Sequence, residues 1–321
     1  MKFLIMTILG LSIFINIILG IRVVTQQSNP QTSDNTNDAK QFPYLSKRIF
    51  MEDQNDLLIN FVLLRTMLRE FVTLTEASIS IYFEYLPTGV SIGINDRDEL
   101  VTASLIKVPI AMAVVNEVNK GNLSYDTELT VEKEHLSPTF GDLWKKGVGT
   151  KITVEEALQL SLTKSDNTAA VLLHSQLPPG SLNYIFDSLD LPNAKTGNDV
   201  IITAKGYSSI MSSLYFSSSL PYAGSQKILE MLTKSTFNNQ ITAGVSEDIP
   251  VAHKSGVHET TTLKDNVYHD CGIVYVPKRP YILCIMTQGV DREKANSLMK
   301  DTSSIIYGYI DSVIPTGNKP N

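Results

Sequence analysis

The chain has 321 residues, 43% of them hydrophobic and 19% charged, a balance that suits a globular body and argues against wholesale disorder. A net charge of -6 and a pI near 5.4 leave no basic footprint, so nucleic acid is not an expected partner. Two cysteines and five scattered histidines (135, 174, 253, 258 and 269) give no zinc-ligand spacing, and no metal or other cofactor is expected.

Phe3 to Ile21 is a run of 19 residues without a charge, which as a helix spans roughly 28 Å, one bilayer core. It is longer than the apolar part of an ordinary signal peptide, and no small-x-small cleavage site follows. Residues 1–24 therefore read as an uncleaved anchor, with signal cleavage and secretion as the alternative. Lys2 and Arg22 flank the run almost evenly and do not set its orientation. Residues 25–43 are mostly Gln, Ser, Asn, Asp and Thr, too polar to bury, and read as a flexible linker. The body is expected over 44–316, with 317–321 as a short tail.

Leu57, Phe61, Leu64, Leu68 and Phe71 recur at helical spacing and predict an amphipathic helix. The period then changes to that of a strand over Ser78–Tyr85, followed by a Leu86–Gly89 turn and a second strand over Val90–Ile94, which is a hairpin. A helix is expected from about Ser104 to Lys120, because Pro109 is tolerated only near a helix start. A polar stretch runs to Gly149. Another helix opens at Thr153 with acids in its first turn, and a further one at Asn167. Pro178-Pro179-Gly180 is a stop, and from Ser181 to about Leu232 helical patterns predominate with no strand evident.

Strands return over 250–257, 271–276 and 281–287, and a last helix carries Leu298, Ile305, Tyr309 and Val313. The fold class expected is α/β in the α+β sense: a five-stranded, mostly antiparallel sheet flanked by the terminal helices, with an inserted all-helical subdomain. Cys271 and Cys284 fall on two neighbouring strands. Pairing Val276 with Tyr281 leaves them diagonal and reads them as buried free thiols, whereas shifting each strand by one residue would oppose them.

Three short segments stand out chemically. In Ser104-Leu105-Ile106-Lys107 the lysine lies one helical turn from the serine, within reach of its hydroxyl, and a serine needs such a base to become a nucleophile. A helix start would also offer N–H groups to a developing oxyanion. Ser165-Asp166-Asn167 sits at a break between helices, and Lys254-Ser255-Gly256 on a strand. Taken singly, the first is a common pattern on solvated helices, the second is helix-capping chemistry with Asp166 as the cap, and the third is any strand end.

Together and in this order, the three segments resemble the S-x-x-K, S-D-N and K-T-G signature of class A β-lactamases and penicillin-binding proteins. The resemblance covers about Leu57 to Val313. It implies a site between the sheet and the helical part, with Ser104 as nucleophile, Lys107 as its base or one of two contested bases, and Ser165 passing a proton to the leaving nitrogen. Asn167 would hold the substrate's amide side chain, and Lys254, Ser255 and Gly256 would receive its terminal carboxylate. The backbone N–H groups of Ser104 and Val257 would form the oxyanion hole. Lys107 is expected to have a lowered pKa, from the nearby charge of Lys254 and from partial burial. Phe140 either lines the entrance or packs.

Two departures qualify the resemblance. A class A β-lactamase carries, after the second segment, a glutamate that activates the deacylating water, whereas no Glu lies between Glu156 and Glu230 here. Asp187, Asp190 and Asp199 are the acids between the second segment and Glu230, where the loop reads as trimmed around Leu191–Lys195. Many relatives also place an arginine on the strand after the third segment, where this chain has Asp270-Cys271-Gly272, with Lys264 or Lys254 as substitutes. The expected activity is acyl transfer on β-lactams or acyl-D-Ala-D-Ala peptides by a tethered, extracytoplasmic monomer of the penicillin-binding DD-peptidase kind. The alternatives are a true β-lactamase and a non-catalytic tethered sensor or scaffold.

Overall fold

The computed structural model describes residues 43–44, 60–75, 77–191, 194 and 200–312. The expected anchor, nearly all of the linker, the tail, Leu57, Lys195, Asp199 and Val313 lie outside them. No helix among the described residues is long and apolar enough to cross a membrane.

The chain runs α1 (Val62–Leu74), β1 (Ser78–Tyr85), β2 (Val90–Ile94), β3 (Leu100–Val101), a 3-10 turn (Ala103–Ile106), α2 (Lys107–Asn119), β4 (Glu128–Thr130) and β5 (Lys151–Thr153). Then follow α3 (Val154–Thr163), α4 (Asn167–His174), α5 (Ser181–Asp187), β6 (Ile201–Ile202), α6 (Ala204–Tyr215) and α7 (Tyr222–Leu232). The last elements are β7 (Val251–His258), β8 (Val267–Val274), β9 (Tyr281–Gln288) and α8 (Arg292–Ser312).

Five strands form one sheet in the order β2-β1-β9-β8-β7, every neighbouring pair antiparallel. The expected hairpin is present with its predicted limits. One face of the sheet buries Ile79, Ile81, Phe83, Leu283 and Ile285 against Leu64 and Leu68 of α1 and Leu298, Met299, Ile306 and Ile310 of α8. Leu64 and Leu68 are wholly buried, and truncating either to Ala would cost about 2–5 kcal/mol. The other face packs Cys271, Ile273, Cys284 and Met286 against the inserted helices, with α2 at the centre of that core.

The insert also contains two short ribbons that its hydrophobic pattern does not announce. β4 pairs with β5, and β3 with β6, through two or three residues each. Pairings this short carry no period of their own. β8 begins at Val267, four residues before the expected strand, and all eight of its residues are buried, which removes the alternation that marks a half-exposed strand.

The cysteine reading is corrected. Val274, not Val276, pairs with Tyr281, so Cys271 faces Cys284 and the two form a disulfide. The expected four-residue link is a six-residue loop over 275–280, closed by the Arg279 N–H donating to Val276 O, and Lys278 takes a positive φ of 63°. Both extra loop residues come from the end of β8, since β9 starts at Tyr281 as expected, and this two-residue change sets the cysteines face to face.

Candidate active site

The nucleophile candidate sits in a 3-10 turn, not in the first turn of an α-helix. Ala103–Ile106 form that turn and α2 starts at Lys107, with Pro109 in its first turn, where no intrahelical N–H bond is lost. The turn is braced on several sides. The Thr102 N–H donates to Val200 O (2.8 Å), the Tyr207 hydroxyl donates to Leu105 O (3.1 Å), and the His269 Nε2–H donates to Val101 O (2.8 Å). Ala103, just before Ser104, has a φ of 46°, a strained value for a residue with a Cβ.

Lys107 is 3% exposed and uses all three ammonium donors. Its Nζ donates to Ser104 Oγ (2.6 Å), Ser165 Oγ (3.2 Å) and Asn167 Oδ1 (2.6 Å). Ser165 also accepts from Lys254 Nζ (2.9 Å), whose other partners are Ser255 O (2.7 Å) and the ring of Phe237, 5.5 Å away. Three remote segments therefore meet around two buried lysines joined by one hydroxyl. Such a cluster is tolerable because each ammonium group is held by several partners: three oxygens for Lys107, two oxygens and a ring for Lys254.

Burial lowers the Lys107 pKa to about 8, opposed by the charge of Asp166. Lys254 is pushed well below its ordinary value, first by burial and then by Lys107, with Asp270 opposing. The cause expected for Lys107 is thus half present. Burial does the lowering, and the mutual repulsion falls on Lys254.

Local folding explains how the second segment is presented. The Asp166 carboxylate caps α4 by accepting from the Ala169 N–H, and accepts from the Asp142 and Leu143 N–H groups of the facing loop. Gly141 of that loop has a φ of 84°, and a Cβ there would come within 2.1 Å of the carboxylate, so only glycine lets the loop close on it. Asp166 is thus structural, and it leaves Ser165 (φ 54°) and Asn167 facing the lysines. On the third segment, a Cβ at Gly256 would lie 3.1 Å from both Thr102 O and Leu105 Cγ. The glycine is what allows β7 to run against the nucleophile's turn.

A cleft of about 720 Å³ opens over this cluster, lined by Ser104, Lys107, Phe140, Asn167 and Val257, with Ile106, Ile110, Ala170, Val171, Leu182 and Val200 supplying an apolar surface. Phe140 is among the cleft's lining residues. Ser165, Lys254, Ser255 and Gly256 lie beneath the lining. The Ser255 Oγ is buried without a hydrogen-bond partner, and its cross-strand neighbour is the acid Asp270. Lys264 is exposed and does not line the cleft.

Asp187 and Asp190 are exposed and absent from the lining, and Asp199 lies outside the described residues. The one carboxylate among the described lining residues is Glu259, on the strand side, bonded by Arg292 Nε (3.0 Å) and the Tyr268 hydroxyl (2.7 Å). Sequence reasoning missed Glu259, His258 and His174 as lining groups. The first two directly follow the third segment, which was the available signal. No group of three or more His, Cys, Asp or Glu among the described residues could hold a metal.

Residues 63–310 match the Beta-lactamase enzyme family. The chain belongs to that family. It is a serine hydrolase by that membership. Relatives include the β-lactamase VEB-1 of Pseudomonas aeruginosa, 22% identical over 243 residues, covering 67% of this chain and 80% of that protein. Among solved structures, PBP-A superposes with a TM-score of 0.72 at 21% identity, over 78% of this chain and 97% of PBP-A. An ancestral class A β-lactamase gives 0.68 at 22% identity, over 76% and 99%. The family assignment rests on the sequence match, and the structural likenesses agree in fold with the expected sheet and helical insert.

Proposed function

We propose that the chain is a membrane-tethered acyl-transfer enzyme of the penicillin-binding DD-peptidase kind, acylated by β-lactams and acting on acyl-D-Ala-D-Ala-type peptides. The observation that carries the reading is the 2.6 Å contact between Lys107 Nζ and Ser104 Oγ, with Lys107 depressed to a pKa of about 8. Once deprotonated, that amine accepts the Ser104 proton as Oγ bonds to the substrate's carbonyl carbon. The C–N bond then breaks, and the proton passes through Ser165 to the leaving nitrogen, leaving an ester on Ser104.

Asn167 receives the substrate's amide side chain, Lys254 and Ser255 its terminal carboxylate, and the N–H groups of Ser104 and Val257 the oxyanion. The DD-peptidase preference is supported by the helix-side wall, whose described lining residues include no carboxylate to activate a water. The apolar run Phe3–Ile21 supplies the tether, and the Cys271–Cys284 disulfide fits an oxidising, extracytoplasmic site. The test is turnover of a chromogenic cephalosporin. Product stopping near one equivalent is expected, and sustained turnover would make the chain a β-lactamase.

A further inference from the structure

The cleft does not end at the nucleophile. Asn167, Ala170, Val171 and His174 all line it, and their spacing is that of a single face of α4. The helix therefore lies lengthwise along the cleft, with Asn167 at the catalytic end. With a rise of about 1.5 Å per residue, Val171 stands about 6 Å and His174 about 10 Å further along. Val171 is 40% exposed and His174 is exposed too, so a ligand in the cleft can reach both side chains. Leu182 of α5 and Ile110 of α2 extend the apolar surface beside them.

Where α4 ends a further cavity of about 430 Å³ opens, walled by Leu177, Pro178, Pro179 and Ser181. His174 and Leu182 line both spaces, so the two adjoin. Together they exceed the roughly 300–1,000 Å³ that suits a drug-sized ligand. A compact lactam held at Ser104 and Asn167 would leave the far part unfilled. Consecutive prolines stiffen its rim, which lowers the cost of ordering it around a ligand. The His174 ring carries at least one N–H in every protonation state, so it can always donate to a carbonyl. An extended peptide advances about 3.3–3.6 Å per residue, and three residues cover the distance from Asn167 to His174.

We propose that α4 measures the acyl side of the substrate. An N-acyl peptide with at least three residues ahead of the amide at Asn167 lies along the helix, an aliphatic side chain over Ala170 and Val171 and a backbone carbonyl on His174. This rests on the acyl-transfer reading and narrows its substrate class. The test is protection of the full-length protein from penicillin labelling by N-acetylated D-Ala-D-Ala peptides that carry one, two or three residues on the acyl side, with D-Ala release followed in parallel. Protection should strengthen about tenfold or more from one added residue to three, and a Glu in place of Leu at the second should weaken it about fivefold. His174→Ala and Val171→Asp change exposed helix positions, and each should cut the gain from lengthening about threefold or more. Absence of protection, protection indifferent to length, or an undiminished gain in both variants would overturn the inference. Length-dependent protection without D-Ala release would uphold the groove and overturn the peptidase reading. A folded protein that takes no penicillin label would overturn the acyl-transfer reading and this inference with it.

Discussion

The two walls of the cleft differ in what they bring to an acyl group. The helix side contributes Lys107 and Asn167 at the surface, Ser165 just beneath, and then a plain of Ile110, Ala170, Val171, Leu182 and Val200. The strand side contributes Lys254 from below, the close approach of Gly256, and at its rim Glu259 held by Arg292 and Tyr268. One wall can move a proton off Ser104, whereas the carboxylate on the other is already engaged by a guanidinium and a phenol. Making an ester and releasing it are separate tasks, and on the proposed reading the contacts of Lys107 serve the first, while the one carboxylate among the described lining residues is bonded elsewhere.

Removing the nucleophile is the most complete way to break this contrast. Ser104→Ala should abolish penicillin labelling in an intact-mass assay, since the other hydroxyl that Lys107 contacts, that of Ser165, lies beneath the cleft lining while Ser104 is part of it. Lys107→Ala should slow acylation by about 10²–10⁴-fold, the usual worth of a positioned base. The neutral amine is the active form, so the wild-type acylation rate should rise with pH, with a midpoint at about 8, and level off above it. That profile should vanish in the variant.

Gly256→Ala tests how closely the walls must meet. Its Cβ would press on Thr102 O and Leu105, and acylation should fall about tenfold as the turn carrying Ser104 shifts by a fraction of an ångström.

His269 braces the same turn, and burial lowers its pKa to about 4 from an ordinary 6.5. The unfolded chain takes up this proton on acidification while the native chain resists it. His269 thus contributes stability that is full above pH 6.5 and is lost as the pH falls from there to about 4. Its share is roughly 3 kcal/mol, readable as the difference in the pH dependence of urea unfolding between wild type and His269→Gln. The smallest effect is expected at Asp187→Asn and Asp190→Asn, which should alter ester release less than about twofold, because neither side chain lines the cleft.

How much of this was legible in the sequence depends on whether a feature has a local cause. The Ser78–Ile94 hairpin, the capped start of α3 at Thr153 with Glu156, and the break before Asn167 each follow from neighbouring residues, and each stands where expected. The cysteine pairing was missed because a loop two residues longer than it looked shifts the register and turns a diagonal pair into a facing one. The start of β8 was obscured by burial on both faces, which erases alternation. In the site, the three segments could be read by spacing and order. That Lys254 and Ser255 lie beneath the cleft surface, and that Glu259 faces Arg292 across 33 residues of chain, depends on packing that no local pattern encodes.

The account turns on a neutral Lys107 taking the proton from Ser104. The most direct test is penicillin labelling of the full-length protein across pH 6–10, with the modified peptide mapped by mass spectrometry. The prediction is one ester, on the peptide bearing Ser104, forming at a rate that climbs through pH 8. An ester elsewhere, no ester at all, or a rate indifferent to pH in both wild type and Lys107→Ala would contradict it.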